Sequence, residues 1–315
     1  MSFEKTQWVW LNGNFIPWIE AAVHISAPSI QYGLGVFEGI RSYETSEGTA
    51  IFRLEAHLKR FSASASHYEI QIPYGLEELS VAVHETVQRN NFKSCYIRPI
   101  CYYGSGRPGL MAEACPINVA ILAWPWAPPF GAGAQTGGLR VTVSKWRKVH
   151  FRMLPTTAKA CGGYLNSVLA ARDARQRGYD EGLLLDESGN VAEGPTENIF
   201  MVFQNRLVTN DERSSILVGI TRDSVIQIAR DLAYDVEIRP ISLNELQAAS
   251  EAFFTGTAAE VVPITEIDNC AIGAGRLGSI TTKIQQVFFS AVSGKEARYR
   301  EWLDFVSPRT PAQSM

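Results

Sequence analysis

The sequence predicts an α+β protein in which antiparallel strands and helices are mixed. Three observations support this. Segments with the two-residue period of strands and segments with the 3.6-residue period of helices both occur. The two kinds do not alternate as regular βαβ units. Neither GxGxxG after a strand nor GxxxxGK[ST] is present, which argues against a dinucleotide or P-loop fold.

At 315 residues, 46% apolar, the chain can bury a substantial core as one large domain or two ordinary ones. The net charge is −3, from 29 basic and 32 acidic residues that are well mixed. No basic stripe suits nucleic acid and no polybasic run suits a membrane surface. No stretch approaches the roughly 20 apolar residues that span a bilayer. Met1-Ser2-Phe3-Glu4-Lys5 lacks a basic region followed by an apolar run, so no signal peptide is read there. Cys95, Cys101, Cys115, Cys161 and Cys270 are odd in number and form no CxxC pair, which fits reduced thiols in the cytoplasm. The histidines are scattered without HExxH or HxH spacing, so no metal site is expected.

In chain order, Asn12-Gly13 between Trp8-Val9-Trp10-Leu11 and Phe15-Ile16-Pro17 signals a hairpin, because Asn-Gly takes the positive φ angles of a tight turn. Residues 21–25 read as a short strand. The glycines of Tyr32-Gly33-Leu34-Gly35-Val36-Phe37-Glu38-Gly39 suggest close backbone packing around aromatic rings. Residues 55–67 and 76–90 read as helices. Arg60, in the first, is either a solvated arginine or a buried anion ligand. Residues 96–103 alternate as a strand, which puts Tyr96 and Arg98 on one face. They form either a carboxylate site or an outward polar face. Residues 117–124 are apolar enough for a central strand. Trp126-Ala127-Pro128-Pro129-Phe130-Gly131 interrupts regular structure, so residues 126–137 are taken as a linker between domains 1–125 and 138–315.

The second half begins with a strand at 139–144. Residues 164–177 form a helix with Leu165, Val168, Leu169 and Ala171 as its apolar side. Strands follow at 181–186 and 199–203. Thr221 is expected to cap a helix reaching about residue 232. A strand at 253–255 precedes Gly256-Thr257-Ala258, and residues 279–292 form the last helix.

The chemistry centres on Thr157-Ala158-Lys159-Ala160-Cys161-Gly162-Gly163, where one lysine stands among small residues. Gly219-Ile220-Thr221 opens a helix, whose N-terminal N–H groups favour a phosphate. Gly256-Thr257-Ala258 is a second turn able to aim N–H groups at an anion. An imine-forming amine beside a dianion site is what pyridoxal 5′-phosphate requires. Its ring nitrogen wants a carboxylate partner, for which Glu193 and Glu197 are candidates, and its phenolic oxygen wants a donor such as Tyr164.

Lys159-Ala160-Cys161-Gly162-Gly163-Tyr164-Leu165-Asn166, Tyr179-Asp180-Glu181-Gly182, Glu193-Gly194-Pro195-Thr196-Glu197-Asn198, Gly219-Ile220-Thr221-Arg222 and Gly256-Thr257-Ala258-Ala259-Glu260 together resemble the fold-type IV (class IV) aminotransferases. The likeness is greatest to bacterial branched-chain amino acid aminotransferases. Val36-Phe37-Glu38-Gly39-Ile40-Arg41 and Tyr96-Ile97-Arg98-Pro99 extend it through the first half.

The resemblance implies a two-domain fold and a homodimer or higher homo-oligomer. It implies that Lys159 forms the imine and moves the proton, Glu193 pairs with the ring nitrogen, and Tyr164 meets the phenolic oxygen. Arg60, Ile220, Thr221 and Thr257 would hold the phosphate. Tyr32, Phe37, Tyr96, Arg98, Thr257 and Ala258 would surround the substrate. The implied reaction moves the amino group of leucine, isoleucine or valine to 2-oxoglutarate. A transaminase for D-amino acids or (R)-amines, an aminodeoxychorismate lyase and a non-catalytic cofactor-binding protein are the alternatives. Arg107-Pro108-Gly109-Leu110 and Pro128-Pro129-Phe130 depart from the pattern, which places Arg107 and Phe130 among the residues that would set selectivity.

Overall fold

The computed structural model describes residues 5–107 and 109–307. The first four residues of the N-terminal segment and Pro108 of the Arg107 loop lie outside the described residues. The chain divides into two compact units. One runs to Ala127 and adds Ala158–Gly162 and the chain from Ser290 onward; the other comprises Pro128–Thr157 and Gly163–Phe289. This partition differs from a simple cut at the linker, because the Lys159 segment groups with the first unit.

The first unit is built on an antiparallel sheet in the order Leu303–Phe305, Gly48–Phe52, Ile40–Thr45, Cys95–Tyr103, Ile117–Trp124, Trp8–Leu11, Asn14–Pro17. Gly35–Phe37 pairs with the same strand edge as Ile40–Thr45, one after the other along Cys95–Tyr103. The helices Leu54–Ser66 and Leu76–Arg89 bury Leu54, Leu58, Phe61, Leu79, Val83 and Val87 in a core with Val36, Ile40, Ile97 and Ile121. A fully buried residue such as Phe61 contributes about 1.5–3 kcal/mol. The Asn12-Gly13 hairpin forms, with φ of 50° and 87°. No strand forms at 21–25, where Val23 and Ile25 are exposed and backbone pairing is lacking.

The second unit carries a larger mixed sheet in the order Val236–Ile238, Arg206–Thr209, Asn198–Phe203, Glu251–Gly256, Glu260–Ile267, Leu139–Arg147, Glu181–Leu185, Asn190–Glu193, Ile241–Ser242. Its strand Asn198–Phe203 is apolar at every position after Asn198, and Ile199, Met201, Phe254, Val262 and Leu183 fill its core. Two expectations are corrected here. The helix Tyr164–Gln176 buries Ser167, Ala170, Asp173 and Ala174, while Leu165, Val168 and Leu169 face outward. The helix Ile220–Asp231 starts two residues earlier than a Thr221 cap would give. Gly219 is its N-cap and Thr221 lies inside the first turn, with no side-chain cap.

Candidate active site

Lys159 is tied to the sheet of the first unit through its backbone. Val36 bridges Ala160. The Phe37 amide donates to the Lys159 carbonyl at 3.0 Å and the Gly162 amide to the Gly33 carbonyl at 3.1 Å. The Lys159 amide donates to Ser64 Oγ at 2.9 Å. A Cβ at Gly33, where φ is +70°, would lie 2.8 Å from Gly162 Cα, so the close approach needs glycine. The half-exposed Tyr32 immediately precedes this contact. Lys159 Nζ stands 5.1 Å from the centroid of the Phe37 ring.

Tyr96 and Arg98 do share a face, as the period of two predicts. The Arg98 guanidinium carbon lies 4.6 Å from the Phe37 ring centroid, 5.3 Å from Tyr96 and 5.7 Å from Trp124. Tyr96 stacks on Trp126 at 4.6 Å. Gly39 permits this, since a Cβ there would meet the Tyr96 hydroxyl at 1.9 Å. Arg98 Nε and Trp126 Nε1 are buried without a hydrogen-bond partner. Leaving a buried donor unpaired costs about 1–3 kcal/mol, so these atoms mark where an acceptor would be welcome.

Arg60 is a part-buried anion ligand, but the anion it holds is Glu38. Its Nε and Nη2 donate to the two carboxylate oxygens at 2.7 and 2.9 Å, and His57 Nδ1 lies 2.8 Å from the same carboxylate. His57, Arg60 and Ser64 occupy one face of the helix Leu54–Ser66, at the spacing that helical geometry brings together. Burial alone would raise the Glu38 carboxyl, but Arg60 and His57 outweigh it and hold it well below the usual range. Burial lowers His57, and Arg60 and Lys159 add to that against the pull of Glu38.

In the second unit, Glu193 ends the strand Asn190–Glu193 after a register shift. Its Oε1 is 2.5 Å from Lys148 Nζ. Its Oε2 accepts from Asn198 Nδ2 at 3.1 Å and from the Leu217 amide at 3.0 Å. An ionised carboxylate offers about four acceptor positions, so these three donors leave one. Gly219, Ile220 and Thr221 open the helix Ile220–Asp231, whose first N–H groups have no capping side chain. Thr257 and Ala258 form the turn between Glu251–Gly256 and Glu260–Ile267, where Gly256 passes close to the Thr196 carbonyl. Tyr164 opens its helix. Two residues on, Asn166 bonds the backbone on both sides of Lys148, to the Arg147 carbonyl and the Val149 amide. Glu197 takes the Thr196 amide and hydroxyl. It is also a neighbour that, after burial itself, pushes Glu181 up to about 8.

The family profile described as amino-transferase class IV matches residues 35–267, well over half of the chain. The chain belongs to the class IV aminotransferases. It is 42% identical to the branched-chain-amino-acid aminotransferase of Pseudomonas aeruginosa, over 95% of this chain and 97% of that one. Against the Escherichia coli K12 branched-chain-amino-acid aminotransferase it is 38% identical, over 98% and 100%. A branched-chain amino acid aminotransferase solved as a complex with N-(5′-phosphopyridoxyl)-L-glutamate superposes with a TM-score of 0.92 at 42% identity. That match covers 96% of this chain and 99% of the other. The enzyme from Thermoproteus uzoniensis, solved with norvaline, gives 0.91 at 44% identity, again covering 96% and 99%.

Within this class IV aminotransferase the structure groups the sequence-predicted residues in two sets. Lys159, Phe37, Tyr96, Arg98 and Arg60 gather in the first unit; Glu193, Ile220, Thr221, Thr257 and Ala258 gather in the second. Residues given no role from sequence also take part. Lys148 follows Lys145 and Arg147 at a strand end and reads locally as a solvated charge. Glu38 carries a signal that was available: an acid on an otherwise apolar strand edge must find a partner once buried. Trp124 was legible only as part of a central strand.

Proposed function

We propose that the chain is a branched-chain amino acid aminotransferase that uses pyridoxal 5′-phosphate to move the amino group of leucine, isoleucine or valine to 2-oxoglutarate. The donor set fits that cofactor. Glu193 has one acceptor position left for a protonated ring nitrogen, and the Ile220–Asp231 helix offers uncapped N–H groups for a phosphate. When bound, the cofactor supplies an electron sink for the substrate's α-carbon.

The remaining roles belong to side chains and backbone N–H groups of this protein. Lys159 carries the amine that holds the cofactor and shuttles the α-proton. Tyr164 donates to the phenolic oxygen. Ile220, Thr221 and Thr257 hold the phosphate. Arg60, whose Nε and Nη2 hold the Glu38 carboxylate, is assigned to the phosphate by the family resemblance. Tyr32, Phe37, Tyr96, Arg98, Thr257 and Ala258 surround the substrate.

One observation carries the specificity. The Arg98 guanidinium is lined by Phe37, Tyr96 and Trp124 and keeps an unpartnered Nε. Such a wall accepts an aliphatic side chain against the rings, then a carboxylate at the cation. Reversible transfer between a branched-chain acid and glutamate needs both. The exposed stripe Leu165, Val168, Leu169 supports a homodimer, because an outward apolar face on an amphipathic helix is covered most simply by a second copy.

The test pairs two variants of the holoprotein. Lys159→Ala is expected to lose both the yellow colour of the lysine-bound cofactor and turnover; full transamination by that variant sinks the assignment. Arg98→Met is expected to slow the glutamate half-reaction at least about tenfold more than the leucine half-reaction, since it removes the cation and leaves apolar bulk. Equal losses would refute the dual-use wall. Activity with D-alanine or (R)-1-phenylethylamine in place of leucine would transfer the enzyme to the D-amino acid or (R)-amine branch. Release of product without an oxo-acid acceptor would make it a lyase.

A further inference from the structure

Asn198 stands between the two groups of the second unit that were assigned to opposite ends of the cofactor. Its Nδ2 donates to Glu193 Oε2 at 3.1 Å and to the Leu217 carbonyl at 2.8 Å. The Leu217 amide returns to the same Glu193 oxygen at 3.0 Å. On its other side Asn198 Oδ1 lies so near Gly219, the N-cap of Ile220–Asp231, that a Cβ at Gly219 would come within 2.0 Å of it. Asn198 is buried, and its strand pairs it with Thr255, two residues before the Thr257 turn. One amide therefore touches the carboxylate, the segment leading into the helix and the helix cap. Carboxylate and helix N-terminus cannot shift relative to each other without breaking a hydrogen bond or displacing this side chain.

We propose that Asn198 is a positioning residue that fixes the spacing between the Glu193 carboxylate and the helix N-terminus, so that one rigid cofactor engages both at once. The inference rests on the reading of Glu193 as partner of the ring nitrogen and of Ile220 and Thr221 as phosphate ligands. Two weak contacts made by one rigid ligand act as a chelate only if their spacing is held. A site that drifts loses the joint advantage while each contact keeps its own strength. Glu193 retains Lys148 and the Leu217 amide without Asn198, and the helix retains its N–H groups. The loss should therefore fall on the coupling.

The experiment titrates full-length apoprotein with three probes: pyridoxal 5′-phosphate, pyridoxal and inorganic phosphate. For Asn198→Ala the affinity for pyridoxal 5′-phosphate is expected to fall at least about tenfold, with pyridoxal and phosphate each within about threefold of the native chain. Unchanged affinity for pyridoxal 5′-phosphate, or a parallel loss for all three probes, overturns the proposal; the parallel loss would mean a merely structural role. If Asn198→Ala does not fold, Gly219→Ala tests the same link from the other side. Its φ of −73° accepts alanine, and the new Cβ would displace Asn198. The same selective loss is expected, and its absence overturns the proposal. Glu193→Gln separates the two levels. If it binds pyridoxal 5′-phosphate as tightly as the native chain, the Glu193 reading falls and the proposal with it. If Glu193→Gln weakens binding and Asn198→Ala does not, the coupling alone falls.

Discussion

Each unit buries a glutamate, Glu38 in one and Glu181 in the other, and the two are shifted in opposite directions. Glu38 lies among cationic and hydrogen-bond-donating groups: Arg60 grips both oxygens and His57 approaches a third position. Glu181 shares its surroundings with Glu197, and its nearest donor is the Gly182 amide at 2.8 Å. Burial pushes both toward the neutral form. A guanidinium overrides that push in one case, and a second carboxylate reinforces it in the other. Desolvation is thus common to both, and the identity of the first neighbour decides the charge.

The largest effect is expected at Glu38. Glu38→Gln leaves the part-buried Arg60 cation without the Glu38 carboxylate and is expected to cost about 3 kcal/mol, read as a lowered denaturation midpoint. Replacing both members, as in Glu38→Met with Arg60→Met, is expected to recover most of that loss. If the double variant is no better than the single, ion pairing is not what makes Glu38 costly to remove.

Glu181 gives the next largest effect, with the opposite sign in pH. Its folded value is raised from 4.5 to about 8, so its contribution to stability is present below the unfolded value and is lost as pH rises through that window. The native chain should lose on the order of a few kcal/mol from this group between the two pH values. Glu181→Gln should flatten that slope, as measured by denaturation at pH 5 and pH 8.

On the acid side the first unit behaves the other way. His57 is lowered from 6.5 and Glu38 from 4.5. Both contributions are fully present above the unfolded values and are lost as pH falls, first for His57 and then for Glu38. Stability that rises on acidification from pH 6.5 to 4 in the Glu181→Gln background would contradict this. The smallest effect belongs to the exposed pair Lys59–Glu55, on the same helix as Arg60. Glu55→Ala should leave the melting temperature where it is, because exposed pairs are screened.

Much of this was legible in the sequence, and the failures have physical causes. The helices around Arg60 and at 76–90, the strand of Tyr96 and Arg98, and the Asn12-Gly13 hairpin were read from periodicity and turn chemistry, which are local. The outward stripe of Tyr164–Gln176 was misread because periodicity shows that a helix is amphipathic but not which face has a partner. Ser167, Ala170 and Asp173 lie inward because Asp173 accepts from the Lys145 amide and pairs with Arg177. Thr221 looked like a cap because hydroxyl residues often are caps; Gly219 takes that place because Asn198 leaves no room for a larger side chain. The strand Glu260–Ile267 was missed, since Pro263 and Glu266 obscure its alternation. Lys148 and Glu38 gained meaning only from neighbours far away in sequence.

The stitching of the Lys159 segment has a consequence for dissecting the chain. The edge of Gly35–Phe37 is completed by Lys159 and Ala160, which arrive only after the chain has passed through the start of the other unit. A fragment ending at Ala127 would carry an unpaired strand edge and a Gly33 without the Gly162 it packs against, an invitation to self-association. The two halves of this protein are therefore not separable at its proline-rich crossing. Any attempt to recombine them with those of a relative should exchange the short Ala158–Gly162 insert and the chain from Ser290 onward together with the N-terminal half.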